Sequence, residues 1–330
     1  MRMVTAGAES VVERPVDEWP PVPPALPTEP EAIFVVGASR SGTTLMRTIL
    51  ERSPRIAIAR ENHFVGHLRE SEGARFYFRK VGDMRDDDVV RKVVDLIYSG
   101  EFQRQSRWRE LSPYWRWLVA NVSQADMTAR LLATDRTERS VWAAFLRVYA
   151  DKQGRPIMGE KTPAHLEYVD TLLEWFPNGR VVHMIRDPRG VFVSDLRRRR
   201  GKLRKPYSWI AKVPGLLAAT ILMQTTFVWR AAARHDPGYR KKYPDRYRRV
   251  RFEDVVKTPD QTLGGLFAFL GVETPPDPTN VRVMARGFKW GEEGLDAGAA
   301  DRWREQIGWL SNKWLTLALG RQMRRHGYTD

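Results

Sequence analysis

Cysteine is absent from this chain of 330 residues. A disulfide framework, a thiolate metal site and a cysteine nucleophile are therefore excluded. Residues 1–30 also lack the continuous apolar run that a classical secretion signal requires. They are rich in Pro, Glu and Val, and we expect a flexible tail there, followed by one domain over 31–330. The composition is compatible with a cytoplasmic protein.

Acidic residues are in the minority, with 40 Asp and Glu against 55 Lys and Arg and a formal net charge of +15. This excess favours an anionic partner, such as nucleic acid, an acidic acceptor, an anionic lipid surface or a polyanionic nucleotide. The densest basic run covers residues 197–205. That run could bind phosphate, a polyanion or a membrane, or it could be solvated.

The first motif is a buried strand, a glycine loop and a helix. An apolar run at 33–36 ends at Gly37, and apolar residues recur at helical spacing over 45–50. The loop therefore leads into a helix N-terminus, where free backbone N–H groups and the helix dipole favour an anion. Gly42 would let a ligand approach the backbone closely.

The loop differs from the Walker phosphate loop because Thr43 stands where that loop has its lysine. Without this lysine an ordinary nucleoside triphosphatase is less favoured. The positive charge lies inside the loop instead, at Arg40. Together with the nearby hydroxyl groups it suits a single substituted phosphate, although a tight turn without a ligand is the alternative. The hydroxyl groups belong to Ser39, Ser41, Thr43 and Thr44.

Further strands are predicted at 55–59, 156–159, 181–185 and 247–252. The expected fold class is α/β, a three-layer P-loop-like fold with a mostly parallel sheet between helices and a helical insert over about 64–150. Ligands bind at the carboxyl ends of parallel strands. The polar residues expected at those ends are Glu61, His63, Lys161, Arg186, Arg189 and Ser194.

Three other features of the sequence each allow two interpretations. Aromatic clusters in the insert could line an acceptor pocket or form core. The apolar residues 213–229 are predicted to form a buried helix, with membrane contact as the alternative. Trp303 could line the nucleotide or acceptor site or belong to the core. Glu253 and Asp254 are expected to make structural contacts rather than to take part in chemistry.

Taken in order, these blocks resemble those of sulfotransferases that use 3′-phosphoadenosine 5′-phosphosulfate (PAPS). Residues 37–44 resemble the 5′-phosphosulfate loop, and 186–189 with Ser194 resemble the 3′-phosphate motif. Residues 250–271 are similar to the late strand and helix of these enzymes. The first block most resembles the tyrosylprotein sulfotransferase branch, and many bacterial sulfotransferases share it.

The resemblance implies in-line transfer of a sulfuryl group from PAPS to an acceptor hydroxyl, with adenosine 3′,5′-bisphosphate as product and no metal. It implies Glu61 as the base, with His63 as rival, and Arg40 and Lys161 as cations near the sulfuryl group. The residues that it implies for PAPS binding are Ser39, Arg40, Ser41, Gly42, Thr43, Thr44, Arg186 and Ser194.

The acceptor stays open among small molecules, carbohydrates, lipids and peptides, as does the oligomeric state. No specific nucleic-acid partner is expected, and peripheral membrane contact is compatible with the charge. A nucleotide kinase and a basic nucleic-acid- or membrane-binding protein with vestigial loops are the alternative functions.

Overall fold

The computed structural model describes residues 31–67, 69–106, 109–110, 112–200, 213, 215–281 and 294–328, with the side chains of Glu70 and Arg200 left out. The predicted tail at 1–30 and residues 201–205 of the basic run lie outside the described residues.

A parallel sheet lies at the centre of the described fold. Its strands are β1 (Ala32–Gly37), β2 (Ile56–Ala59), β3 (Ile157–Lys161), β4 (Arg180–Ile185) and β5 (Tyr247–Arg251). They are ordered β2-β3-β1-β4-β5, and every neighbouring pair is parallel. Strands β1 to β4 are buried along their whole length, which explains their short apolar runs. The predicted α/β fold class with a parallel sheet is confirmed.

Helices lie on both faces of this sheet. The α-helices in chain order are α1 (Thr43–Leu50), α2 (Ala74–Val81), α3 (Asp87–Tyr98), α4 (Glu101–Arg104), α5 (Pro113–Asn121), α6 (Gln124–Leu132), α7 (Glu138–Lys152), α8 (Val169–Trp175), α9 (Pro188–Arg200), α10 (Leu216–Lys242), α11 (Phe252–Lys257), α12 (Pro259–Leu270), α13 (Trp303–Gln306) and α14 (Trp309–Arg325). Short 3₁₀ turns lie at Glu70–Glu72, Pro163–Tyr168 and Ala297–Ala300.

Alternate residues of β1 belong to different cores. Phe34 and Val36 pack with the insert helices α2 to α7, whereas Ile33 and Val35 pack with α1, α11 and α12. This alternation follows from the two-residue period of a strand. A third cluster joins α9, α10 and α14 around Trp229. The sheet is therefore covered on both sides, and its strand ends are free to form a site.

The insert is helical in its described part, and its buried aromatic residues form core. Trp142 stacks between Phe34 and Phe64, with ring centroids 5.5 Å from each. Trp115 is fully buried against Phe102 and Phe145. Of the two interpretations of these aromatic clusters, the structure supports the core.

Helix α10 corrects the prediction of a buried helix at 213–229. It runs over Leu216–Lys242, and its inward face carries Ile221 and Trp229. Met223 and Phe227 on the other face are 41% and 60% exposed. Only 33% of its most apolar stretch of 18 residues is buried. By length and composition alone, this helix could cross a membrane. The prediction failed because an apolar run does not reveal which of its faces finds a partner.

Candidate active site

The carboxyl ends of the three middle strands form the core of the site. Strand β1 lies between β3 and β4, so the residues after Gly37, Lys161 and Ile185 are neighbours. The chain order reverses direction at β1, and open α/β sheets bind ligands at such a point. The edge predicted from the sequence is therefore the edge at which the polar residues meet.

Two glycines fix the shape of the loop after β1. Gly37 has φ +144°, and a Cβ there would lie 2.3 Å from the carbonyl oxygen of Met184. Gly42 has φ +91°, and a Cβ there would lie 2.6 Å from the ring of Phe252. Both positions therefore require glycine for packing as well as for the turn. Helix α1 begins directly afterwards at Thr43.

The loop and the unit after β4 meet through arginine side chains. Arg40 donates from Nε and Nη2 to Ser194 Oγ, at 3.2 and 3.1 Å. Arg186 donates from Nη1 to the Arg40 carbonyl oxygen at 3.5 Å and from Nη2 to that of Ala299 at 2.8 Å. Its guanidinium also lies 4.1 Å from the ring centroid of Phe252. Arg40, Arg186 and Ser194 thus form one cluster.

This cluster holds positive charge in a partly dry environment. Burial lowers the pKa of Arg40, and nearby Arg198 lowers it further. Burial likewise lowers the pKa of Arg186. Arg40 also has a left-handed backbone, with φ +73°. A desolvated cation interacts strongly with an anion because little water is left to compete.

Two polar atoms of the loop and the arginine cluster are unsatisfied. Among the described residues, Ser41 Oγ and Arg186 Nε are buried and have no hydrogen-bond partner. Buried polar atoms are nearly always paired, so each of these atoms calls for a ligand or solvent partner. Phosphate oxygens would satisfy both donors, and the chemistry of the cluster therefore fits the phosphates of PAPS. Ser39 and Thr44 are exposed beside them, and Thr43 is buried.

The two residues predicted as base and cation are in direct contact. Lys161 Nζ donates to Glu61 Oε1, and their side chains are 7% and 34% exposed. Lys161 is the last residue of β3 and precedes a 3₁₀ turn. The strand predicted at 156–159 extends to Lys161, where β3 pairs with Val35 of β1, so this lysine lies at a strand end as expected. The structure brings both residues to one place.

His63 lies beside this pair. Its Nε2 is 3.9 Å from Glu61 Oε2, and its backbone has φ +51°. Burial lowers the pKa of His63 well below its usual value, and the neighbouring His67, His165 and Lys161 act in the same direction. The imidazole is therefore neutral near pH 7, and protonating it would place a second charge in a buried region.

Comparisons with known proteins identify the family of this chain. The sulfotransferase family model matches residues 30–276. This chain belongs to the sulfotransferase family. The match confirms the predicted family and enzyme class, a sulfotransferase with PAPS as sulfuryl donor.

Similar solved structures confirm the fold of this sulfotransferase. The sulfotransferase domain of the Synechococcus PCC 7002 olefin synthase has a TM-score of 0.56 at 16% identity, covering 92% of this chain and 98% of that one. The sulfotransferase domain of the curacin biosynthetic pathway has a TM-score of 0.53 at 18% identity, covering 91% and 98%.

One curated relative matches over a shorter stretch. Human carbohydrate sulfotransferase 6 is 33% identical over 107 residues, which are 30% of this chain and 26% of that protein. The match with this chain thus spans about a quarter of the length of human carbohydrate sulfotransferase 6.

A second layer of polar residues positions Glu61. The amide N–H of Asn62 donates to Thr162 Oγ1 at 3.3 Å, and Thr162 donates to the buried Glu160 Oε2 at 2.5 Å. From the insert, Ser112 Oγ donates to the Glu61 carbonyl oxygen, and Trp115 Nε1 donates to that of Asn62 at 3.0 Å. Sequence reasoning missed these residues, and a glutamate inside a buried strand was the available signal for Glu160.

Arg189, Glu253 and Trp303 make structural contacts around Asp187, next to Arg186. Arg189 binds both carboxylate oxygens of Asp187, at 3.0 and 2.8 Å, and its guanidinium lies 4.1 Å from the centroid of the Trp303 ring. Glu253 accepts from the Asp187 amide at 3.0 Å and from the Tyr328 hydroxyl at 3.0 Å. Burial raises the pKa of Glu253. These contacts match the structural role expected for Glu253 and the core alternative for Trp303.

No three His, Cys, Asp or Glu side chains in the described part of the chain are grouped so that they could hold a metal ion.

Proposed function

We propose that this sulfotransferase transfers the sulfuryl group of PAPS to a hydroxyl group of a small-molecule or carbohydrate acceptor. The cluster of Arg40, Arg186 and Ser194 at the switch point of the sheet carries the proposal. The short match to human carbohydrate sulfotransferase 6 supports the carbohydrate class. A lipid or peptide acceptor is the alternative.

The loop would hold the 5′-phosphosulfate, and the unit after β4 would hold the 3′-phosphate. Backbone N–H groups at the start of α1 and the Arg40 side chain suit the first group. Arg186 and the Ser194 hydroxyl suit the second by charge-assisted hydrogen bonds. When bound, PAPS supplies the sulfuryl group and a phosphate leaving group. The loop residues in this proposal are Ser39, Ser41, Gly42, Thr43 and Thr44.

Glu61 is the proposed base, which takes the proton of the acceptor hydroxyl. His63 is a weaker candidate, because burial opposes its protonated form. Arg40 and Lys161 would stabilise negative charge on the oxygens of the transferred and leaving groups. Lys161 forms an ion pair with Glu61, so the proposed base and one of the proposed cations are in direct contact.

Incubation with labelled PAPS and fractionated acceptors, with mass spectrometry of the products, tests this function. We expect one sulfated hydroxyl compound, formed by the wild type and lost in Glu61→Gln. Magnesium-dependent ATP binding without PAPS binding would instead establish a nucleotide kinase. Salt-sensitive DNA binding without PAPS affinity would establish a nucleic-acid-binding protein.

We further propose that the protein is cytoplasmic, with a tail at 1–30 and one catalytic domain, and that it contacts membranes peripherally. The net charge of +15 supports contact with an anionic surface. Fractionation of cells into soluble, peripheral and integral proteins tests the location. Release from the membrane fraction by high salt is the expected result.

A further inference from the structure

Helices α10 and α14 lie side by side and run in the same direction. Trp314 Nε1 donates to Thr226 Oγ1 at 3.1 Å, and one turn further along Arg230 donates to the Ala318 carbonyl oxygen at 2.8 Å. Both contacts advance by four residues on each helix. The exposed sides of the two helices therefore form one continuous surface, with their N-terminal halves together at one end.

The N-terminal half of α14 presents apolar side chains to solvent. Leu310, Trp314 and Leu317 are 75%, 43% and 77% exposed. Their spacing of four and three residues places them in one stripe. Trp309, at the start of the helix, is 68% exposed. Single exposed apolar residues are ordinary, but a stripe of this kind indicates an interaction site.

Helix α10 adds to the same surface. Met223 and Phe227 are exposed on it, one turn apart and next to the level of Trp314. Of the eight large hydrophobic side chains exposed in the described part of the chain, six lie on these two helices. This apolar patch consists of Met223, Phe227, Trp309, Leu310, Trp314 and Leu317.

Cations border the apolar patch at both ends. The C-terminal halves of the helices carry exposed basic residues, which are Arg230, Arg234, Arg240 and Lys241 on α10 and Arg321, Arg324 and Arg325 on α14. At the other end, Arg197 donates to Gln306 Oε1, and Arg199 donates to Gln224 Oε1 at 2.9 Å. Arg199 is also paired with Asp195 at 2.9 Å, so its charge is partly compensated. The first arginines of the basic run thus lie beside the patch.

A groove of about 640 Å³ adjoins this surface on α14. Its lining combines the apolar Trp303, Trp309 and Leu317 with the cations Arg304 and Lys313. Apolar walls with nearby positive charge are the features that an acyl chain and an anionic headgroup require together.

We propose that this face docks onto an anionic lipid bilayer. The apolar patch enters the boundary between headgroups and acyl chains, and the flanking arginines and lysines contact anionic headgroups. Tryptophan favours this interfacial depth. An apolar contact supported by attraction to anionic lipid is the general mode of peripheral helices. Charge complementarity identifies the lipid surface, because the border of the patch is basic at both ends.

The structure favours docking over crossing, although α10 is long enough to span a bilayer. Trp229 Nε1 donates to the Arg186 carbonyl oxygen at 2.8 Å, beneath the candidate active site. Asp236, further along the helix, is buried with Arg249 at 3.2 Å and with His183 at 3.6 Å. Insertion of α10 would break these buried polar contacts, which is costly.

Vesicle flotation of the full chain tests the proposal. We expect binding to vesicles of phosphatidylcholine with phosphatidylglycerol, little binding to pure phosphatidylcholine, and weakening at high salt. The variant Leu310→Glu/Leu317→Glu should lower the partition coefficient by at least about tenfold. Both side chains are more than 70% exposed, so the fold should tolerate the change.

The matched control adds the same two charges to the insert. Val119→Glu/Gln105→Glu changes exposed residues on another side of the fold and should bind vesicles like the wild type. Equal partition of the Leu310/Leu317 variant and the wild type would overturn the proposal. So would a dimer in light scattering that this variant abolishes, without vesicle binding, because a second copy would then be the occupant.

Docking does not depend on the identity of the acceptor. The affinity of each variant for adenosine 3′,5′-bisphosphate reports an intact nucleotide site separately from vesicle binding. Normal affinity with lost flotation therefore assigns the defect to the docking face. Normal flotation without nucleotide affinity contradicts the proposed function and leaves the docking proposal supported.

Discussion

Two pairs of arginines in and beside the sheet have opposite kinds of partner. Arg40 and Arg186 donate to a hydroxyl and to carbonyl oxygens, and neither forms an ion pair with a described residue. Arg189 and Arg249 are paired with the buried carboxylates of Asp187 and Asp236. The first pair therefore has no direct carboxylate partner among the described residues, whereas the second pair does.

This difference separates residues that recognise an anion from residues that hold the fold. A buried arginine paired with a carboxylate has no net charge to offer a ligand, and removing one partner strands the other. An arginine bonded only to neutral oxygens keeps its charge for an anion. Substitutions at the two kinds of position should therefore affect different measurements.

The largest effect is expected for Glu61→Gln. Loss of a general base lowers kcat by about 10²- to 10⁴-fold, whereas Gln keeps the shape of the side chain. Affinity for adenosine 3′,5′-bisphosphate should stay within a few-fold of wild type. Steady-state kinetics with the identified acceptor and calorimetry with the nucleotide make the two measurements. Glu110→Gln, an exposed residue of the insert, is the control, and near-normal turnover of Glu61→Gln would remove it as the base.

Arg189→Ala tests an arginine that is paired with a buried carboxylate and stabilises the fold. It leaves Asp187 buried without its cation, and we expect the free energy of unfolding to fall by about 3–5 kcal/mol in urea denaturation. Arg304→Ala is the matched control, because Arg304 also lies over Trp303, at 4.7 Å, but is exposed. That change should cost less than about 1 kcal/mol. Equal costs for both variants would contradict the contrast drawn above.

Arg186→Ala tests an arginine that is proposed to bind a phosphate of the nucleotide. One charge-assisted contact to phosphate is worth about 1.5–3 kcal/mol, which corresponds to roughly ten- to hundredfold in Kd for adenosine 3′,5′-bisphosphate. Arg186→Lys keeps the charge without the planar fork and should fall between the variant and the wild type. Unchanged affinity in Arg186→Ala would remove this residue from the nucleotide site.

Local features of the sequence predicted local structure well. Asp86 caps α3 by accepting from the Asp88 amide at 2.9 Å, and Gly271 ends α12 with φ +66°. Each of these caps depends on residues only a few positions away, so such features follow from the local sequence. The strand ends that carry Glu61 and Arg186 were predicted for the same reason.

Contacts between distant segments could not be predicted from such patterns. Arg40 and Ser194 are 154 residues apart, and Lys161 and Glu61 are 100 apart. The resemblance to sulfotransferases placed them in one site, but not in contact with each other. The exposed face of α10 was missed because the apolar residues of Leu216–Lys242 do not show which of them point outward.

The smallest effect is expected at His63, and it separates the two candidate bases. Burial lowers the pKa of His63, so the unfolded chain binds a proton more readily than the folded one. Stability should therefore fall as pH drops below about 6.5, by at most about 1.4 kcal/mol per pH unit from this group. His63→Gln should flatten that dependence in urea denaturation between about pH 7 and pH 5. Its kcat should fall far less than that of Glu61→Gln, since a histidine kept neutral by burial is a poor proton acceptor. A larger loss of kcat in His63→Gln than in Glu61→Gln would exchange the two roles.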